Sequence, residues 1–142
     1  MAVEYSYTPT QTVAVDENVL FNNGARSCRK GAVEHDDGSG SFTLRGTTGC
    51  RAIFEVGFTA NIAIAEGGTV EPISVALAVN GETRANTIAI VTPAAIGDFW
   101  NVSIHTFVDV PCGCCKTIAI ENTSETTAID VANANIIINR VA

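Results

Sequence analysis

Five cysteines and two histidines are the residues of this 142-residue chain best suited to covalent or metal chemistry. The cysteines are Cys28, Cys50, Cys112, Cys114 and Cys115; the histidines are His35 and His105. The densest group is Cys112-Gly113-Cys114-Cys115. Thiolates there could hold a soft metal, from one copy or from several copies around an axis. A closed zinc site takes four ligands, usually from C-x-x-C pairs. Here the spacing is C-x-C-C, with no second pair and no nearby histidine, so no metal and no cofactor is expected. In oxidising surroundings the group would instead form a disulfide internally, or to Cys28 or Cys50. Five is an odd number, which leaves at least one thiol over or paired between chains. The plainest reading of the cluster is a set of small buried side chains at a tight turn.

Other routes to catalysis find little support. A Cys–His nucleophilic pair needs the base within hydrogen-bond reach of the thiol and a third group to orient it. His105 lies in the middle of an alternating run, and the cysteines lie at the turn beyond it. Glu34, Asp36 and Asp37 make a small acidic turn, Asp36-Asp37-Gly38-Ser39-Gly40, without the regularly spaced oxygens that a calcium loop requires. The glycines follow no phosphate-cradling pattern. The chain is therefore not expected to be an enzyme. A sugar site would need an exposed aromatic ring beside Asp or Asn, and Trp100 with Asp98 and Asn101 is the one such grouping; the other reading of Trp100 is a residue at the start of a strand.

The elements that must position these residues read as strands. Apolar residues alternate with small or polar ones over Ile73–Val79, 87–91, Trp100–Val110, 117–121 and 136–141. Turn signals separate the runs at Asn80-Gly81, 94–98, 111–115 and 122–127. Alternation with period two at this spacing predicts an antiparallel sandwich or barrel. Earlier in the chain, 13–21, 33–35, 41–45 and 51–65 read as strands, and Asn22-Asn23-Gly24 reads as a turn. Gly57 inside the long run 51–65 signals a bulge or a close backbone approach. Asn80-Gly81 suits a type I′ hairpin between Ile73–Val79 and 84–91. Trp100, Val102, Ile104, Val108 and Val110 share one face of their run; His105 and Phe107 share the other. Ile136, Ile137 and Ile138 are consecutive, so that strand is apolar on both faces and needs a central position or a partner outside. Residues 1–12 carry Tyr5, Tyr7 and Pro9 without sustained periodicity and read as an N-terminal arm. The remainder, 13–142, reads as one domain of about eight to ten strands without a long helix, the pattern of a jelly roll.

Composition points to association. Hydrophobic residues make up 46% and charged residues 16%, against about 25% charged in a typical soluble domain. Covering that apolar surface calls for a subunit interface, for which Tyr5, Tyr7, His105, Phe107 and Ile137 are the candidates. A net charge of −7 disfavours nucleic acid and anionic membrane as partners. Five of the eight basic residues, Arg26, Arg29, Lys30, Arg45 and Arg51, cluster in one quarter of the chain. They read as partners for Glu34, Asp36, Asp37 and Glu55 or for an acidic neighbour. No run approaches the roughly 20 apolar residues of a spanning helix, and the start lacks the charged and apolar regions of a signal peptide.

The stretch 101–141 carries a further pattern. Val110-Pro111 is followed by Gly113, then Glu121-Asn122-Thr123, then Asn133-Ala134-Asn135 running into an apolar strand that reaches Val141. Together with 62–82 and 87–94, it resembles the C-terminal heads of collagen-like bacterial surface and spore-coat proteins, of the tumour necrosis factor and complement-head jelly-roll superfamily. The resemblance covers about residues 50–142. It implies a trimeric jelly roll with a structural or binding role. Small phage structural proteins share this look, and the chain has no Gly-X-Y stalk. The expectation is thus a non-enzymatic homotrimer decorating a phage particle, made in the host cytoplasm and placed in the virion beside other virion proteins. The alternative is a receptor- or glycan-binding head on a phage fibre or on a bacterial cell or spore surface.

Overall fold

A computed structural model describes residues 2–26, 32–46, 51–112 and 115–142, with backbone alone for 23–26. Alternating apolar residues make strands wherever one face can be buried, and the described residues form two antiparallel sheets packed face to face. The front sheet is built from β1 (Ala2–Tyr7), β2 (Gln11–Val13), β3 (Asn22–Arg26), β6 (Ala52–Ile64), β10 (Trp100–Val110) and β12 (Ile129–Arg140). Its order is β10-β6-β12-β1-β3, with β2 also pairing β12. The back sheet is built from β4 (Val33–His35), β5 (Phe42–Arg45), β7 (Ile73–Val79), β8 (Glu82–Thr83), β9 (Ala89–Val91) and β11 (Cys115–Asn122). Its order is β4-β5-β11-β7-β8, with β9 also pairing β7. Four of the twelve strands are only two or three residues long, which is why the sequence shows fewer. The one helical element among the described residues is a 3-10 turn, Ala85–Thr87.

The core lies between the sheets. Phe54, Val56, Phe58 and Ile62 of β6 face Ile73, Val75 and Leu77 of β7 and Ile118 and Ile120 of β11 in one cluster. At one end Phe21 packs edge-on to Phe58 at 6.2 Å and tilted on Phe42 at 5.4 Å. Asn122 of the Glu-Asn-Thr segment is fully buried. It donates hydrogen bonds to the carbonyls of Val13 and Thr127 and accepts one from the Ser124 amide. It thereby ties β2 of the front sheet to the end of β11 in the back sheet.

Several expectations need correction. Residues 2–7 are not a free arm. They form β1, paired to β12 on one side and β3 on the other, with Val3 and Tyr5 in the core. The cause lies in the partner strand, which supplies a complementary edge that residues 1–12 alone do not advertise. Asn22-Asn23-Gly24 is part of β3 rather than a turn, held by pairing with β1. Residues 13–21 are not one strand: β2 ends at Val13, Asp16 takes a left-handed φ of 65°, and the chain then joins the back sheet at the Asn18–Glu121 bridge. The turn at Asn80-Gly81 has the expected positive φ at both residues, 53° and 83°. Its return arm stops after two residues because Thr87 intrudes, accepting from the Leu77 amide and donating to the Arg84 carbonyl.

Candidate functional site

The outer face of the front sheet is assembled from strands that alternate strictly. In β10 the inward residues Val102, Ile104, Val108 and Val110 are buried, which turns Asn101, Ser103, His105, Phe107 and Asp109 outward. Cross-strand register extends this face in rows. His105 lies beside Gly57 of β6, which lies beside Ile137 of β12, which lies beside Glu4 of β1. The next row runs Phe107, Glu55, Asn139, Ala2. Phe107 is 58% exposed and Ile137 is 44% exposed. A shallow hollow of about 370 Å³ beside Phe107 is walled by Ile53, Val141, Arg84 and Asp109. Arg84 closes its rim by donating to the Phe107 carbonyl at 2.9 Å.

Polar groups on this face are largely committed to one another. Arg51 grips Asp109 in a bidentate pair, whose hydrogen bonds hold the Asp109 carboxyl below its ordinary range. The His105 Nε2 lies 3.4 Å from a Glu55 oxygen. Further along, the Asn101 amide donates to the side-chain oxygen of Asn61, and the Asn61 amide donates to that of Asn133, linking three strands. Asn133 is the extra residue of a bulge in β12, at φ 55°, where its N–H reaches the Thr8 carbonyl. Asn-Ala-Asn was noticed as part of a pattern; that it bends the central strand follows from the tolerance of Asn for the left-handed region.

The predicted residues divide. His105, Phe107 and Ile137 come together on this one face. Tyr7 is half-buried against the core. Tyr5 does not belong to a surface: it is 1% exposed, with its ring 5.0 Å from Phe42 and 4.7 Å from His35. His35 stacks on Phe42 at 4.4 Å and its Nε2 meets the Ser39 carbonyl. Cys112 and Cys115 are both exposed at the β10–β11 connection, not buried as the turn suggested. Cys28, Cys50 and Cys114 lie outside the described residues. Among the described residues no group of three His, Cys, Asp or Glu side chains could hold a metal ion. Of the basic cluster, Arg45 pairs with Glu34 as expected, while Arg51 pairs with Asp109 instead of a near neighbour in sequence; the side chains of Arg26, Arg29 and Lys30 lie outside the described residues.

A second exposed region lies at the end where β6 finishes and β10 begins. Val70, Ile96, Phe99 and Trp100 are all between 44% and 52% exposed there. Trp100 shares the parity of Val102 and Ile104 but is not buried with them: it is the first residue of β10, at the end of the sandwich, and its indole donates to Asp98 at 3.1 Å. Asn101 turns away, its amide bonded to the Ala60 carbonyl and Asn61 on the sheet face. The three residues of the expected sugar site therefore do not converge. Ala2 pairs with Asn139, and the Ala142 carbonyl accepts from the Ile53 amide, so both chain ends lie at the opposite end of the sandwich.

The fold matches known structures. The Eiger TNF of S. frugiperda superposes with a TM-score of 0.70 at 9% identity, over 99% of this chain and 93% of that one. Murine APRIL at pH 5.0 gives 0.68 at 9% identity, over 99% and 100% of the two chains. The chain thus has a TNF-like jelly roll; at this identity the likeness concerns the fold alone. No protein-family model matches the sequence, and no curated protein matches it either.

Proposed function

We propose that this chain is a structural subunit rather than an enzyme: a homotrimeric jelly-roll head that decorates a phage capsid. The observation that carries the trimer is the outer face of the front sheet. It presents Phe107, Ile137 and the hollow beside them to solvent, with no layer of the described residues above. Large apolar side chains gathered on one bare sheet face mark a protein interaction surface. A closed ring of identical copies covers such a face in every subunit. Placement on a phage particle is supported by the likeness of 50–142 to jelly-roll heads whose look small phage structural proteins share. Partners would be sister copies and other virion proteins.

The test has two stages. Light scattering with and without reductant is expected to give three times the chain mass; a monomer at micromolar concentration would sink the proposal. Antibody labelling of intact phage particles should then decorate the capsid. Label confined to a tail fibre or to the bacterial surface would overturn the capsid placement.

A second reading, a receptor- or glycan-binding head, is favoured by the apolar tip at Val70, Ile96, Phe99 and Trp100, opposite both chain ends. An indole held by a carboxylate is a ring fixed in place for stacking on a sugar. Glycan-array binding that disappears in Trp100→Ala would select this reading.

A further inference from the structure

The front sheet contains a glycine that the other described residues do not require. Gly57 sits at the middle of β6, a strand of 13 residues hydrogen-bonded on both sides. Its register is regular against His105 and against Ile137, so it makes no bulge. Among the described residues a side chain here would not collide: the nearest atom to an added Cβ is the His105 Cδ2, 3.8 Å away, an ordinary contact. Glycine in a strand interior costs stability through lost packing and added unfolded-state freedom. Of the usual reasons for tolerating it, a close approach from outside the chain is the one that the geometry leaves.

We infer that Gly57 is the floor of a socket on the outer sheet face, flanked by His105 and Ile137, and that it receives Phe107 of a second copy of this chain. The inference rests on the self-association proposed above and assigns its contact. Phe107 is the most exposed aromatic residue on that face and stands one strand away, so each copy carries both knob and socket. In a cyclic assembly the knob of one copy meets the socket of the next. Charge favours a like copy here. Around the socket and knob stand Glu4, Glu55 and Asp109 against Arg51 and Arg84, three negative and two positive, in a chain of net charge −7. This is a nearly neutral region on an otherwise acidic surface, where identical chains can approach without strong repulsion.

Gly57→Leu and Phe107→Ala test the pairing, with sedimentation for assembly and circular dichroism for folding. Each variant alone is expected to keep the wild-type spectrum and to associate at least about 100-fold more weakly. An equimolar mixture is expected to form mixed dimers, because intact Phe107 of the first variant meets intact Gly57 of the second, but not to close the ring, whose remaining contacts stay defective. Should Gly57→Leu not fold, Gly57→Ala, for which the chain has room, is expected to weaken association about tenfold. Wild type that assembles while the Gly57 variants assemble equally well overturns the socket and leaves the self-association standing. Singly defective variants that form no mixed dimer overturn the knob-and-socket pairing. Wild type that stays monomeric overturns this inference and the trimer together.

Discussion

The two outer faces of the sandwich are built from strands of the same kind and end with opposite surfaces. On the front, Phe107 and Ile137 project above the sheet, and Asn61, Asn101 and Asn133 bond to one another rather than standing free for water. On the back, the outward residues of β7 and β11 include Ser74, Ala76, Ala78 and Ala119, all small and all at 9% exposure or less. Ala78 and Ala119 floor a depression of about 320 Å³ rimmed by Asp16, Asn18, Ser41, Thr117 and Glu121. The carboxylates differ likewise. Asp109 on the front is held below its ordinary range by hydrogen bonds from Arg51. Glu121 on the back is raised by burial and by the neighbouring Asp16 charge. Alternation alone therefore does not say which face stays wet. Side-chain size and the neutralisation of charge decide it: the front carries Phe107 and Ile137 at its middle, whereas the back keeps small side chains at its middle and exposes Ile88 and Ile90 beside its β9 edge.

The strongest way to break this contrast is to charge the front. Phe107→Asp with Ile137→Asp is expected to weaken assembly by about 1000-fold, roughly 4 kcal/mol, since carboxylates would be buried without partners. Sedimentation at several concentrations reads the loss, and unchanged mass would show that the front face is not the interface. Asn122→Ala comes next. It removes two donors and one acceptor from the buried link between the sheets, at a cost of about 2–3 kcal/mol of fold stability in urea titration. The folded fraction should assemble as wild type does, which separates the link from the interface. Thr117→Glu on the back face is expected to stay within about 0.5 kcal/mol of wild type and to leave the mass unaltered.

The smallest effects are those of the two carboxylates, and they have opposite signs. Glu121 has a raised folded pKa, so it contributes stability below its unfolded value and loses it as pH rises through the folded one. Glu121→Gln should therefore unfold at a slightly higher temperature than wild type at pH 7, with no difference once Glu121 is protonated below the ordinary value of 4.5. Asp109 has a lowered pKa, so its contribution is present above its unfolded value of 3.8 and fades as pH falls through the folded value. Asp109→Asn should melt slightly lower at pH 7, and added salt should shrink the gap. Melting curves for the two variants that shift in the same direction at pH 7 would contradict the contrast.

Much of this was legible from residue order. β7 and β10 fall at the bounds that their alternation marks, and the outward positions of His105 and Phe107 follow from parity in β10. The Asn80-Gly81 turn announced its conformation through residues that accept positive φ. What was hidden depends on partners distant in sequence. β1 has only Val3, Tyr5 and Tyr7 to mark it, and its place is secured by β12, more than a hundred residues later. The small polar residues of β3 look like a turn until β1 pairs with them. Gly57 signalled a bulge or a close approach, and only the unbroken register on both sides of β6 removed the bulge. Tyr5 reads equally as an interface or a core residue in sequence, because amphipathic rings suit both; the Phe42 and His35 rings beside it decide for the core.

The central position of β12 has a further consequence, for the order of events during synthesis. This strand lies between β6 and β1 and also takes β2, and it is the latest of the twelve to leave the ribosome. Until it emerges, β6 and β1 each expose an unpaired edge, and the front sheet is two fragments without their shared neighbour. Such long-range closure makes for slow folding. The aggregation risk for this protein is thus concentrated in nascent chains halted before residue 129, whose longest strand already carries the apolar residues of the core and has half of its hydrogen bonds still to find.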